Sequence, residues 1–110
     1  MAYTKDEAIK VIRTFLDSIR RDLPIQRAYL FGSYATGRNR DYSDIDLAIV
    51  TSALNSKNSL RVGQEIFHRA MQYNVDLEPI CFSPEEFEKE ELPIVLDIKR
   101  EGVEITLSSN

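Results

Sequence analysis

Positive charge is in short supply in this chain of 110 residues, where 14 Lys and Arg face 18 Asp and Glu and leave a formal net charge of −4. That deficit argues against the broad phosphate-neutralising surface needed for general DNA or RNA binding, so no non-specific nucleic-acid affinity is expected. Cysteine is nearly absent. The single Cys81 cannot close an internal disulfide, which fits a reducing, cytoplasmic location. Its place in the apolar run Pro79-Ile80-Cys81-Phe82 favours a space-filling role over that of a nucleophile. No apolar run of membrane-spanning length occurs and no charged-then-apolar leader opens the sequence, so no membrane association is expected. Internal repeats and low-complexity linkers are also lacking, and residues 1–110 are expected to form a single domain.

A hydrophobic content of 43% is enough for one modest core. Basic side chains keep pace with acidic ones as far as Asp46 and fall well behind them afterwards, so positive charge gathers around the Gly32-Ser33 turn, where it favours an anionic ligand. Thr4-Lys5-Asp6-Glu7 has the spacing of a capping box. Ile9, Ile12, Phe15, Leu16, Ile19 and Leu23 follow at helical intervals, predicting a first helix from about residue 5 to about residue 21. Ala28-Tyr29-Leu30-Phe31 reads as a strand running into a tight turn at Gly32, and Ile45 to Val50 as a second, β-branched strand. A second amphipathic helix is predicted across Leu60, Gly63, Ile66, Phe67, Ala70 and Met71, with Arg61, Glu65 and Arg69 on its wet face. Val75 to Ile80 is the expected third strand. Ser83-Pro84-Glu85-Glu86 then starts a short helix ending near Pro93, and a further helical turn or two over Ile94 to Ile98 meets Gly102 as its cap. Alternation over Val103 to Leu107 predicts an edge strand.

Side chains alternate across a strand, so Asp44 and Asp46 at the head of the second strand project from one face and bring two carboxylates together. Such a pair repels itself unless protons or a cation intervene, and hard oxygen ligands favour Mg²⁺ or Mn²⁺. On its own, Asp-x-Asp is equally well read as two turn-capping aspartates. The segment before it adds weight. Gly32-Ser33 closes a strand with ten residues between Ser33 and Asp44, where backbone N–H groups and the Ser33 hydroxyl can cradle phosphate oxygens, and Arg38 and Arg40 lie on the intervening loop. Asp76, between Val75 and Leu77, supplies a third carboxylate if the second and third strands are neighbours. Glu78 shares its face and is the rival. Pro79 beside Glu78 suggests that the strand is already leaving the sheet there, which favours Asp76.

Gly32-Ser33-Tyr34-Ala35-Thr36-Gly37, Ser43-Asp44-Ile45-Asp46-Leu47 and Val75-Asp76-Leu77 together resemble the signature of the DNA polymerase beta-like nucleotidyltransferase superfamily, most closely its minimal nucleotidyltransferase (MNT) branch. The resemblance spans about residues 25–80. It implies an α/β (α+β) fold with a small mixed sheet flanked by helices. It also implies Mg²⁺ held by Asp44, Asp46 and Asp76 as catalytic carboxylates, with Gly32 and Ser33 beside the triphosphate, and Tyr34 stands where many minimal members carry Arg. Larger members append a helical domain that holds the acceptor, and no room for one is left here, so the acceptor surface is expected to come from elsewhere. Minimal members are often paired with a helical HEPN-domain toxin as antitoxins, and some adenylylate a tyrosine of that toxin. The resemblance thus implies a hetero-oligomeric HEPN partner, ATP as donor and a tyrosine hydroxyl as acceptor. An antitoxin acting by occlusion alone is the other reading. His68 is expected to be a surface or packing residue, not a catalytic one, the acidic run Glu85 to Glu91 a solvated helix face, and no role is assigned to Tyr42.

Overall fold

Apolar residues at helical spacing after Thr4 build α1 (Lys5–Ile19) in the computed structural model, which describes residues 3–107. The capping box forms as read: the Glu7 N–H donates to Thr4 Oγ1 at 3.0 Å and the Thr4 N–H to Glu7 Oε1 at 2.7 Å. Its Ala8, Ile12, Phe15, Leu16 and Ile19 face inward. The helix stops at Ile19, short of the expected residue 21, because the Asp22 and Leu23 N–H groups both turn back to the Ile19 carbonyl ahead of Pro24.

The chain continues through β1 (Arg27–Phe31), a one-turn α2 (Ser33–Thr36), β2 (Ile45–Val50), α3 (Ser59–Tyr73) and β3 (Leu77–Phe82). It ends with α4 (Pro84–Lys89), α5 (Pro93–Glu101) and β4 (Val103–Glu104). The sheet order is β3-β2-β1-β4, with β1 antiparallel to β2 and β4, and β2 parallel to β3 across the α3 crossover. The mixed sheet flanked by helices is therefore the architecture of the chain.

Three expectations shift. The tight turn after β1 contains a helical turn of its own. The third strand begins at Leu77 and runs to Phe82, because Asn74-Val75-Asp76 make a turn closed by the Leu77 N–H on the Asn74 carbonyl at 3.1 Å. Pro79 thus sits inside the strand, tolerated because β3 lies at the sheet edge. The last strand is reduced to Val103–Glu104, with one further bond from the Ile105 N–H to the Ala28 carbonyl. Gly102 caps α5 as expected but in an extended conformation, and a Cβ there would lie 2.4 Å from the Ile98 carbonyl oxygen.

Alternation divides the sheet into two apolar faces. Ala28, Leu30, Ile45, Leu47, Ile49 and Leu77 pack against α1 and α3, where Ile12, Phe15, Leu16, Val62 and Ile66 meet them. Tyr29, Ala48, Val50 and Phe82 pack on the other face against Phe87 of α4 and Val95 and Ile98 of α5. Each fully buried Leu, Ile or Phe contributes about 1.5–3 kcal/mol, so these two layers, not the short β4, hold the sheet in place. No helix among the described residues is long and apolar enough to cross a membrane.

Candidate active site

The second face carries the acidic residues. In β2, Asp46 alternates with Ala48 and Val50 of that face, and it pairs with Phe31 of β1 on one side and Glu78 of β3 on the other. Partners across a ladder project to the same side, so Glu78 and Asp46 share a face at the end of the sheet where β2 and β3 begin and β1 ends.

Gly32 closes that end. Its φ of 73° and ψ of −151° lie in a region open essentially to glycine alone, and a Cβ on it would stand 2.1 Å from Asp46 Oδ2. Glycine is thus required twice, once for the bend and once for the approach of the backbone to the carboxylate. The Gly32 carbonyl accepts from the Ala35 and Thr36 N–H groups and so starts α2, whose first N–H groups have no intrahelical partner. Gly37, with φ of 77°, ends the turn by donating its N–H to the Ser33 carbonyl.

Burial, and secondarily the charge of Asp44, pushes Asp46 up to about 6 from an ordinary aspartate value of 3.8. Glu78 is also raised, first by a hydrogen bond shared with Asp44, then by burial and by repulsion from Asp44 and Asp46. Asp76 is held by hydrogen bonds of its own. Its Oδ2 accepts from the Tyr3 hydroxyl at 3.1 Å, the Tyr3 oxygen accepts from Asn74 Nδ2 at 3.0 Å, and the Asp76 N–H donates to Asn74 Oδ1 at 2.9 Å. Tyr3 itself packs against the core on the α1 face of the sheet. The structure therefore brings Glu78 against the Asp44–Asp46 pair and engages Asp76 with Tyr3. Preference for Asp76 on the sequence rested on the strand ending at Pro79, and the strand continues past it. Among the described residues, no three His, Cys, Asp or Glu side chains form a group already able to hold a metal ion.

The sequence profile of the family described as Polymerase beta, Nucleotidyltransferase matches residues 14–105. The chain belongs to that family. The match takes in the Gly32 turn and all four carboxylates. Among solved structures, a protein of Sulfolobus solfataricus provisionally assigned as a nucleotidyltransferase shares the fold with a TM-score of 0.66 at 17% identity, over 94% of this chain and 87% of its own. A toxin–antitoxin structure with AMP-PNP follows at 0.59 and 21% identity, covering 92% and 74%. A mutant of the toxin–antitoxin MntA-HpeT stands at 0.51 and 17%, covering 97% and 76%. No curated protein matches the sequence.

In this nucleotidyltransferase, Arg38 and Arg40 are exposed on the loop joining α2 to β2, held there by the Arg38 N–H on the Ser33 carbonyl and the Arg40 N–H on Ser43 Oγ at 2.7 Å. Tyr34 is a core residue. It is 1% exposed, its ring meets that of Tyr3 edge-on at 6.2 Å, and its hydroxyl oxygen accepts the Tyr3 N–H at 3.1 Å. The side chain at that position is therefore occupied by packing and does not face the Gly32-Ser33 backbone turn as a phosphate ligand would. Sequence reasoning missed Tyr3 and Asn74, neither of which carries a motif. Glu78 was visible as the residue two beyond Asp76, and the inter-strand register sets it opposite Asp46. Cys81 fills space as expected, half-buried with its thiol pushed up to about 12 by burial, which leaves little thiolate for nucleophilic work.

The raised carboxyls set the sign of a pH effect. Between about pH 4 and pH 6 folded Asp46 binds its proton more tightly than the unfolded chain does, so its contribution is fully present below that window and is lost as pH rises through 6. Glu78 acts in the same direction. Paired melts of wild type and Asp46→Asn in chelator, from pH 4 to 8, should diverge across this window to the disadvantage of wild type. The expected gap is on the order of 1 kcal/mol, because Asp46 is only half-buried and water screens part of the repulsion. A gap that does not change with pH would contradict the assignment.

Proposed function

We propose that this nucleotidyltransferase is an antitoxin that transfers AMP from ATP to a hydroxyl, a tyrosine, of a partner HEPN toxin, with Mg²⁺ at Asp44 and Asp46. One observation carries the reading: two mutually repelling carboxylates, Asp44 just before β2 and Asp46 within it, the second pressed against the Gly32 backbone at the mouth of a turn that can cradle phosphates. The pair fits the cation. In nucleotide enzymes Mg²⁺ takes one or two carboxylates and completes its shell with phosphate oxygens and water, so a closed protein cage is not required. Bound there, it neutralises the triphosphate and acidifies the attacking hydroxyl.

Gly32 and Ser33 offer backbone N–H groups and the Ser33 hydroxyl to the triphosphate, and Arg38 and Arg40 flank it with charge. Glu78 takes the role first assigned to Asp76. As the acceptor oxygen bonds to the α-phosphorus and the bond to pyrophosphate breaks, the hydroxyl proton passes to the Glu78 carboxylate, whose raised pKa suits it to receive one. Asp76 joins the site only when Tyr3 releases it. The toxin–antitoxin descriptions of two fold neighbours, one of them with AMP-PNP, support the choice of partner and donor.

Occlusion without turnover is the second reading, favoured by Tyr34, which is taken up by the core and gives the turn no charged phosphate contact. Incubating the protein with Mg²⁺, α-labelled ATP and the product of the adjoining gene separates the two. Label is expected in the partner, abolished by EDTA and by Asp44→Ala. Equal labelling by wild type and Asp44→Ala would sink the catalytic reading. Neutralisation of the partner with no labelling by any form would establish occlusion.

A further inference from the structure

An open groove of about 650 Å³ runs between α3 and the outer edge of β3, walled by Leu60, Phe67 and Met71 on the helix and floored by Pro79, Ile80 and Cys81 on the strand. Its wall is a second apolar stripe on a helix that already buries Val62, Ile66 and Ala70 in the core. Leu60 is 74% exposed, Phe67 39% and Met71 46%. Of the eight large hydrophobic side chains exposed among the described residues, five lie on α3 or in the turn after it, the others being Tyr73 and Val75. Contiguous apolar exposure such as that of Leu60, Phe67 and Met71 along one groove marks an interaction surface.

Three features choose the occupant. Pro79 has no N–H, so a partner strand cannot extend the sheet along β3 without losing a ladder bond in its middle. From Leu60 to Met71 the wall spans about three helical turns, roughly 16 Å, the footprint of a helix laid lengthwise. The floor also begins next to the carboxylates, because Pro79 directly follows Glu78, and α3 enters β3 through the short 74–76 turn that puts the Met71 end nearest that site.

We propose that the groove seats an amphipathic helix of the acceptor protein, with apolar side chains at i, i+4 and i+7 laid between Phe67 and Ile80, so that the acceptor hydroxyl is presented to Asp44, Asp46 and Glu78. This rests on the nucleotidyltransferase reading of those carboxylates.

The test measures affinity of the full chain for the product of the adjoining gene by calorimetry, using wild type, Phe67→Glu, Met71→Glu, the milder Phe67→Ser, and Asp44→Ala. Each groove variant is expected to weaken binding at least tenfold while keeping the wild-type melting profile and Mg·ATP affinity, and Asp44→Ala is expected to bind the partner as wild type does. The proposal is overturned if the groove variants bind within twofold of wild type, or if wild type does not bind. It is equally overturned if the free chain is a dimer that Phe67→Glu disperses without affecting partner binding, since the groove then joins two copies. Labelling of the partner by Asp44→Ala at the wild-type rate would remove the catalytic reading of the site, and the binding series would still judge the groove.

Discussion

Asp46→Asn is expected to make the metal-free protein more stable and the enzyme inactive. Amide replaces a carboxyl that burial and Asp44 hold up at about 6, so at pH 8 the variant escapes the repulsion that wild type carries, a gain on the order of 1 kcal/mol. On the proposed reading the same change also removes a charged ligand from the cation. Metal-based charge stabilisation is worth several kcal/mol in the transition state, and each 1.36 kcal/mol is tenfold in rate, so transfer should fall by about 10³-fold or more. The stabilisation of wild type by Mg·ATP, about 2.7 kcal/mol at a hundredfold excess over Kd, should vanish with it. Melting with and without Mg·ATP alongside single-turnover labelling checks all three. A carboxylate with a merely structural role gives a different result: stability and activity fall together. An Asp46→Asn protein that keeps its Mg·ATP shift would show that the pair does not hold the metal.

Gly32→Ala should harm both fold and site. An alanine forced into φ of 73° and ψ of −151° costs about 1–3 kcal/mol, and its Cβ would stand 2.1 Å from Asp46 Oδ2, so the carboxylate or the turn has to move. At about 4–8 °C per kcal/mol for a small domain, melting should drop by roughly 10 °C. Transfer measured well below the new transition should fall further than lost folded protein explains, because the displaced group is Asp46 itself. A double-mutant cycle isolates the contact: in the Asp46→Ala background only the backbone cost remains, so Gly32→Ala should destabilise less there, by about 1 kcal/mol or more. Additive effects would mean that Gly32 and Asp46 act independently, contrary to the close approach seen here.

Much of the site is legible because it is local. The capping boxes at Thr4 and Ser83 each need only a side-chain oxygen and a glutamate three residues on, and both form. β2 is recognisable from its β-branched run, and alternation within it is enough to place Asp46 on one side and Ile45 on the other. The start of β3 is less legible. Val75-Asp76-Leu77 reads as the head of a strand, but the Asn74 side chain and backbone bind the two residues after it into a turn, a competition that short polar side chains regularly win over strand extension.

By itself, then, the sequence determines the longer helices and the first two strands, the glycine at position 32, the closeness of the two aspartates, and the family, because each rests on period, caps or spacing within a few residues. Tertiary structure alone brings Glu78 beside that pair. The parallel register across the α3 crossover sets Glu78 opposite Asp46, and a hydroxyl from Tyr3, at the far end of the chain, takes Asp76. It also decides that Tyr34 is core and that a second apolar stripe on α3 stays uncovered. Contacts between residues distant in sequence are fixed by how the layers pack, and no local pattern carries that information.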